Sequence, residues 1–239
     1  QGNVSIAAAQ GSADTGNVTI DGLGINTAGG SGGVTINVLS ALAGNGELRA
    51  GTDNGALEIA AGGSVNVSAR TIGTGGFANP LDVAAPSVTF NTNGYAGTAI
   101  GSASGPVVAN TANLTINAAG CSTSSGLCVG SFLGGTFNVS TGAVPLTTLT
   151  VRADPVLVGS GGLAQVASNG NTYAFNSDGT NFSLAPLGAG GGQFSGGGLD
   201  FTTQRGDLTL ASVNFSSTNG SLSLTTLGNL ANIAQPASN

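Results

Sequence analysis

Ten carboxylates are the side chains of this sequence best equipped for acid–base chemistry: Asp14, Asp21, Glu47, Asp53, Glu58, Asp82, Asp154, Asp178, Asp200 and Asp207. Histidine and lysine are absent, and the only cysteines are Cys121 and Cys128. General acid–base or nucleophilic catalysis would therefore rest on carboxylates or hydroxyls alone. Sugar-cleaving sites need clustered carboxylates, or a carboxylate-bound calcium ion beside a basic residue. Here the carboxylates are scattered. Glu58 and Asp82 lie 24 residues apart, a spacing that stacks them on adjacent turns of one outward face if the chain coils with that step. Asp200 and Asp207 flank Arg205 as a small charged group at a turn. Solvated strand residues give the same pattern, and the sequence favours that plainer reading over a catalytic or sugar-binding pair.

Other chemistry is sparse. The sequence has no G-x-x-x-x-G-K-[ST] phosphate loop and no D-x-[DN]-x-[DN]-G calcium loop, and "GGGLD" at 196–200 is an isolated near miss to a calcium repeat. Cys121 and Cys128 close "CSTSSGLC", which suggests a local disulfide formed in an oxidising compartment. So short a loop gives modest entropic stabilisation. Two free thiols or a metal site are the rivals, the latter lacking a third and fourth ligand. Asn3, Asn17, Asn66, Asn113, Asn138, Asn181, Asn214 and Asn219 each open an N-x-[ST] sequon. Asn, Ser and Thr are common enough here to produce about this many by chance, so the sequons are permissive of glycosylation only. A flat Thr-x-Thr face of the kind that would meet ice is not built by Thr147-Thr148, Thr202-Thr203 and Thr225-Thr226. The residues point to no catalytic, cofactor-binding or metal-ligating set, and to no enzyme.

Composition narrows the class. Charged residues are 6% of 239, against roughly 25% in an average soluble domain. The apolar fraction of 40% argues against disorder, which needs low hydrophobicity and high charge. A net charge of −6 with four arginines gives no basic footprint, so a nucleic-acid binder is excluded. No apolar run is long enough to span a membrane as a helix. The sequence begins inside its own pattern, at Gln1-Gly2-Asn3-Val4-Ser5-Ile6, as a processed product or a piece of something longer would.

That pattern is what must position any functional side chain. Apolar–polar–apolar triplets begin at Val4, Val18, Val34, Leu57, Val65, Leu81, Val88, Leu114, Phe137, Leu149, Phe182, Leu199, Leu208 and Leu222. Period-two alternation is the signature of a half-buried strand. Two interleaved series share a step of 23 to 26: Val34–Leu57–Leu81, and Val65–Val88–Leu114–Phe137, with Leu199–Leu222 repeating it. The expected fold is all-β, a right-handed parallel β-helix (β-solenoid) of roughly ten turns of about 24 residues, each turn about 4.8 Å along the axis and the whole about 48 Å long. The middle residue of each triplet should point outward. Glycine should mark the corners at Gly29-Gly30, Asn45-Gly46, Asn54-Gly55, Gly62-Gly63, Asn93-Gly94 and Asn219-Gly220. "VTINVLSALAG" at 34–44 reads as a strand and a turn because of its β-branched start.

The chain reads as one elongated domain over 1–239, with a cysteine loop near 121–128 and a looser glycine-rich region over 155–198. Within that region "GAGGGQFSGGG" (188–198) is either a flexible loop or tight corners around one strand at Gln193-Phe194-Ser195.

The strings "GNVTI", "GGVTINV", "GALEIAAGGSVNVSA", "TIGTGGFANPLDVAAPSVTFNTNG" and "NLTINAAG" resemble the repeats of filamentous-haemagglutinin-like exoproteins, over residues 1–150 and again 199–230. The closest phrase is Ile72-Gly73, then Asn79-Pro80-Leu81, then Val83-Ala84-Ala85. The resemblance implies a right-handed β-helix shaft of an adhesin, two-partner secretion through an outer-membrane export partner, and a secreted or surface location on a Gram-negative bacterium. The secretion domain's Asn-Pro-Asn-Leu type motif is missing, since Asn79-Pro80 runs into Leu-Asp. The segment therefore resembles a shaft and not an export module.

Three functions compete at this point. A structural and adhesive shaft would present hydroxyls and amides to surface glycans or proteins of a host or neighbouring cell, without cofactors. A fibre subunit would self-associate end to end through open strand edges. A carbohydrate-active β-helix enzyme would need an acidic cluster, and activity lost with Glu58 or Asp82 would revive it.

Overall fold

The computed structural model describes residues 2–8, 17–38, 46–52, 57–73, 80–92, 99–101, 107–117, 136–140, 144, 147–153, 160–168, 171–178, 182–187, 192–195, 198–203, 208–210, 213–216, 222–226 and 233–234. All regular structure among them is strand, and none of them forms a helix. Of the fourteen triplets, twelve begin inside a strand, while Leu57 and Leu81 lie just ahead of Ile59–Ala60 and Asp82–Ala84. Local alternation thus located the first sheet, while Glu47–Ala50, Thr71–Ile72, Ala99–Ile100, Val107–Asn110, Ser160–Ser168 and Asn171–Asp178 are strands that carry none of these triplets.

The first sheet has eight strands in spatial order: Val4–Ala7, Val34–Asn37, Val65–Ser68, Ser87–Asn91, Asn113–Asn117, Thr148–Ala153, Gly198–Thr203 and Leu222–Thr226. Every pairing in it is parallel. A parallel neighbour requires the chain to leave the sheet and return. On the way it lays down a second sheet, in which Asn17–Ile20, Glu47–Ala50, Thr71–Ile72, Ala99–Ile100 and Thr136–Ser140 stack in parallel. A side branch of that sheet stacks Ile25–Asn26, Ile59–Ala60, Asp82–Ala84 and Val107–Asn110. The two columns merge on one strand, where Phe137 faces Ile100 and Val139 faces Val107.

Side chains on alternate positions point between the sheets. Val34, Val65, Val88, Leu114 and Leu149 form one buried column, and Ile36, Val67, Phe90, Ile116 and Val151 the next. Leu48, Ile72 and Ile100 face them from the second sheet. Each such side chain contributes about 1.5–3 kcal/mol by leaving water. Like stacks on like, so each rung repeats the contacts of the one before it.

The register corrects two links of the expected series. Val34 pairs with Val65, not Leu57. Leu114 pairs with Leu149, not Phe137, which belongs to the second sheet. The steps along the first sheet are unequal, from 23 residues between Val65 and Val88 to 50 between Leu149 and Leu199. Among the described residues the core is built by the strands and by residues directly beside them, Val38, Ala61, Ala69, Leu81 and Ala85.

Two glycine positions carry a specific burden. At Gly73 and Gly101 the backbone takes φ of +68°, a left-handed turn that a side chain disfavours. Their NH groups donate to the carbonyls of Leu48 (2.7 Å) and Ile72 (2.9 Å), so one corner repeats from rung to rung. Gly62 has another reason: a Cβ there would collide with the Gly30 carbonyl, where two corners stack with backbone against backbone.

Residues 160–187 depart from the parallel plan. Ser160–Ser168, Asn171–Asp178 and Phe182–Leu187 form an antiparallel meander, which rejoins the parallel ladder when Phe182 pairs with Leu208. Gly192–Ser195 then pairs in parallel with Val213–Ser216, so at Gln193-Phe194-Ser195 the strand reading is the one that forms.

Candidate functional site

The expected outward pair of carboxylates is stacked, but only Asp82 keeps the outer side of its strand, alternating with buried Leu81 and Val83, while Glu58 is buried. Ile59 pairs with Val83, which brings Glu58 beside Asp82. Glu58 is only 1% exposed. Its Oε2 accepts the Asp82 backbone NH at 2.7 Å, and its own NH donates to the Asp82 carbonyl at 3.1 Å. The expectation failed because Glu58 immediately precedes its strand, where the side chain folds back on the next rung instead of following the alternation.

Burial pushes the Glu58 carboxyl above its ordinary range; the bonds from the Asp82 and Glu58 NH groups oppose this, and the charges of Asp82 and Asp21 add to the rise. Burial raises Asp82 as well. Asp82 Oδ1 is buried with no hydrogen-bond partner. Asp21, one rung earlier, accepts the Thr52 NH on Oδ1 at 2.8 Å and lies directly over Gly51, where a Cβ would strike it. No three of the described carboxylates are placed to hold a metal ion. Glu58 at 1% exposure offers a substrate no oxygen and binds the backbone of the next rung, while Asp82 is half-buried and Asp21 exposed. Asp200 lies in Gly198–Thr203, while Arg205 and Asp207 fall outside the described residues.

A charged cluster that the sequence reading did not assemble sits on the outer side of the second sheet. Glu47 and Arg49 alternate with inward Leu48, and Glu47 pairs with Thr71. Glu47 Oε2 bonds the Arg49 Nη2, and its Oε1 lies 3.6 Å from the Arg70 Nη2. One carboxylate is thus shared by two guanidiniums, each about 30% exposed by its side chain. Below them Thr71 is 7% exposed with an unpartnered Oγ1, and Arg49 Nε is likewise buried without an acceptor. The signal was present: Arg70 follows Glu47 by 23 residues, the step of the ladder.

The widest feature is the outer face of the first sheet. Ser5, Thr35, Asn66, Thr89, Thr115, Thr150, Asp200 and Ser223 occupy one register column. Asn37, Ser68, Asn91, Asn117, Arg152, Thr202 and Thr225 occupy a parallel one, two residues along. Amides in the second column bond along it: Asn117 Nδ2 donates to Asn91 Oδ1 at 2.7 Å, and Asn91 Nδ2 to Ser68 Oγ at 3.4 Å. Rows repeat about every 4.8 Å, and the columns stand about 6.7 Å apart.

The sequons fall differently. Asn17 and Asn3 are exposed, and Asn3 Oδ1 accepts the Gly33 NH at 2.9 Å. Asn66 is half-buried, and Asn113 is exposed while donating to the Pro86 carbonyl at 3.1 Å. Asn138 and Asn214 lie in strands, and Asn181, Asn219, Cys121 and Cys128 lie outside the described residues.

No protein-family model, curated protein or solved structure matches this chain.

Proposed function

We propose that this chain is a structural and adhesive shaft segment of a secreted or surface-exposed exoprotein of a Gram-negative bacterium, of the filamentous-haemagglutinin-like kind, folded as a right-handed β-solenoid. The observation that carries the reading is the outer face of the first sheet, where the strands from Val4–Ala7 to Thr148–Ala153 align hydroxyls and amides in columns over a continuous apolar interior. Stacked parallel rungs make a stiff element whose stability comes from nearest neighbours. A polar lattice with few charges suits glycans or protein surfaces, which it can meet through many weak hydrogen bonds without a pocket. Export through an outer-membrane partner belongs to the same reading.

Electron microscopy of the purified native material, with the mass of its intact chain, tests it. Single slender rods, or a heavier parent chain containing this segment, are the expected result. Uniform long filaments of chains this length would replace the shaft with an end-to-end fibre subunit. Compact particles would overturn both.

A further inference from the structure

The two columns on the outer face of the first sheet differ in what their side chains already do. In the second, Asn117, Asn91 and Ser68 bond to one another along the axis. In the first, the side chains of Ser5, Thr35, Asn66, Thr89, Thr115 and Thr150 make no hydrogen bond among the described residues. These groups stand one per rung, about 4.8 Å apart and about 24 Å from end to end. The strands from Val34–Asn37 to Thr148–Ala153 are paired on both edges, so that spacing is set before any ligand arrives. Neither column carries a charged or aromatic residue from Val4–Ala7 to Asn113–Asn117.

We propose that the first column binds a neutral polysaccharide with an extended, β-linked backbone, laid along the axis of the stack. Each threonine hydroxyl can donate once and accept twice, which matches the hydroxyls of a sugar. The rung spacing is close to the length of one sugar unit in such a chain, so successive rungs meet successive sugars. An open sheet face does not enclose a small molecule as a pocket does. Affinity there comes from several weak contacts made together, which a polymer supplies. An acidic polymer would meet a chain of net −6 with no cation in these columns up to Asn117. A protein partner would need aromatic or arginine anchors, which the same stretch lacks. The choice of a glycan rests on the adhesive reading above, while its neutrality and its direction along the axis rest on the column.

The test titrates the chain with cellohexaose, mannohexaose, the matching disaccharides and oligogalacturonate, reading heat of binding and the NMR shifts of backbone amides. At least one neutral hexaose is expected to bind, to shift Thr89, Thr115 and their column neighbours, to bind more tightly than its own disaccharide, and to hold as salt rises. The T89V/T115V variant keeps the β-branched shape and removes two hydroxyls. It is expected to melt as wild type does and to bind about tenfold more weakly, the loss of two neutral hydrogen bonds. Thr19→Val removes an exposed hydroxyl of the second sheet and is expected to leave binding unchanged. Equal binding by wild type and T89V/T115V, or shifts confined to the second sheet, would overturn the site. A disaccharide as tight as its hexaose would overturn the polymer, and oligogalacturonate as tight as the neutral hexaoses would overturn the neutrality. Binding by neither hexaose would overturn the whole proposal. In that case, adhesion of the native material to cells whose glycans have been oxidised with periodate would keep the adhesive reading and make its partner a protein, whereas no adhesion to untreated cells would remove both.

Discussion

Glu58 and Asp82 are held to each other twice: the Glu58 carboxylate accepts the Asp82 NH at 2.7 Å, and the Glu58 NH donates to the Asp82 carbonyl at 3.1 Å. A side chain and a main chain thus close the same gap between rungs, with a second carboxylate alongside. Burial raises both carboxyls above their ordinary range. Both therefore bind a proton more readily in the folded chain than in the unfolded one. Their contribution favours folding at acidic pH and is lost as pH rises through the raised folded values. The melting temperature should fall as pH climbs from about 4 towards neutrality. Glu58→Gln keeps an oxygen for the Asp82 NH and removes the charge, so it should raise the melting temperature at neutral pH and flatten the profile. If the Glu58→Gln variant instead melts lower at neutral pH and keeps the wild-type slope, this account is refuted.

Close stacking of corners makes a sharp prediction for glycine. Gly62→Ala places a methyl group against the Gly30 carbonyl, and overpacking of this kind costs about 1–3 kcal/mol. Gly2→Ala meets nothing within 4 Å and should stay within about 0.5 kcal/mol of wild type. Urea denaturation of the two variants would separate them, and equal midpoints would show that the corners do not carry the stack.

The inward columns should be unequal to the outer surface in the same way. Phe90 is fully buried between Val67 and Ile116, and Phe90→Ala should cost about 3–5 kcal/mol. Leu23 is 52% exposed, and Leu23→Ala should change stability by no more than about 0.5 kcal/mol. The readout is hydrogen exchange at Val65–Ser68 and Asn113–Asn117, the rungs on either side of Phe90. Protection there unchanged by Phe90→Ala would mean that neighbouring rungs do not share a core.

The amide column can be tested without touching the core. Asn91→Ala removes the acceptor of the Asn117 amide and the donor to Ser68, a loss of about 1 kcal/mol or somewhat more. Asn91→Asp keeps the acceptor and should lose less. Thermal melts that rank the aspartate below the alanine would argue against bonding along the column.

The outcome at particular residues shows how far the sequence reached. Val88, Thr89 and Phe90 could be assigned to inward, outward and inward positions from alternation alone, and the structure places them so. The glycines at 46, 73 and 101 do take positive φ, although only the Asn45-Gly46 corner followed from dipeptide chemistry. Glu58 was misassigned because alternation says nothing of a residue just outside its strand. The Glu47–Arg49–Arg70 cluster was overlooked because its members matter only once two rungs are superposed.

By itself the sequence determined that the chain is β-rich, which face of the strands from Val34–Asn37 to Asn113–Asn117 in the first sheet is apolar, and that four arginines stand against ten carboxylates. Those properties are local or summed: a period of two, a composition, a net charge. The 23-to-26-residue step also found some neighbours, Val65 beside Val88, Val88 beside Leu114 and Leu199 beside Leu222, but the other pairings were decided only in three dimensions. Val34 finds Val65 and not Leu57, and Leu114 finds Leu149 across a longer loop. One alternating strand looks much like another to its neighbours. Loop length and the packing of stacked columns choose among them, and the antiparallel pairing of Ser160–Ser168, Asn171–Asp178 and Phe182–Leu187 likewise appears only in the folded chain. The burial of Glu58 and the sharing of Glu47 by two arginines follow from that choice, since both depend on a residue one rung away.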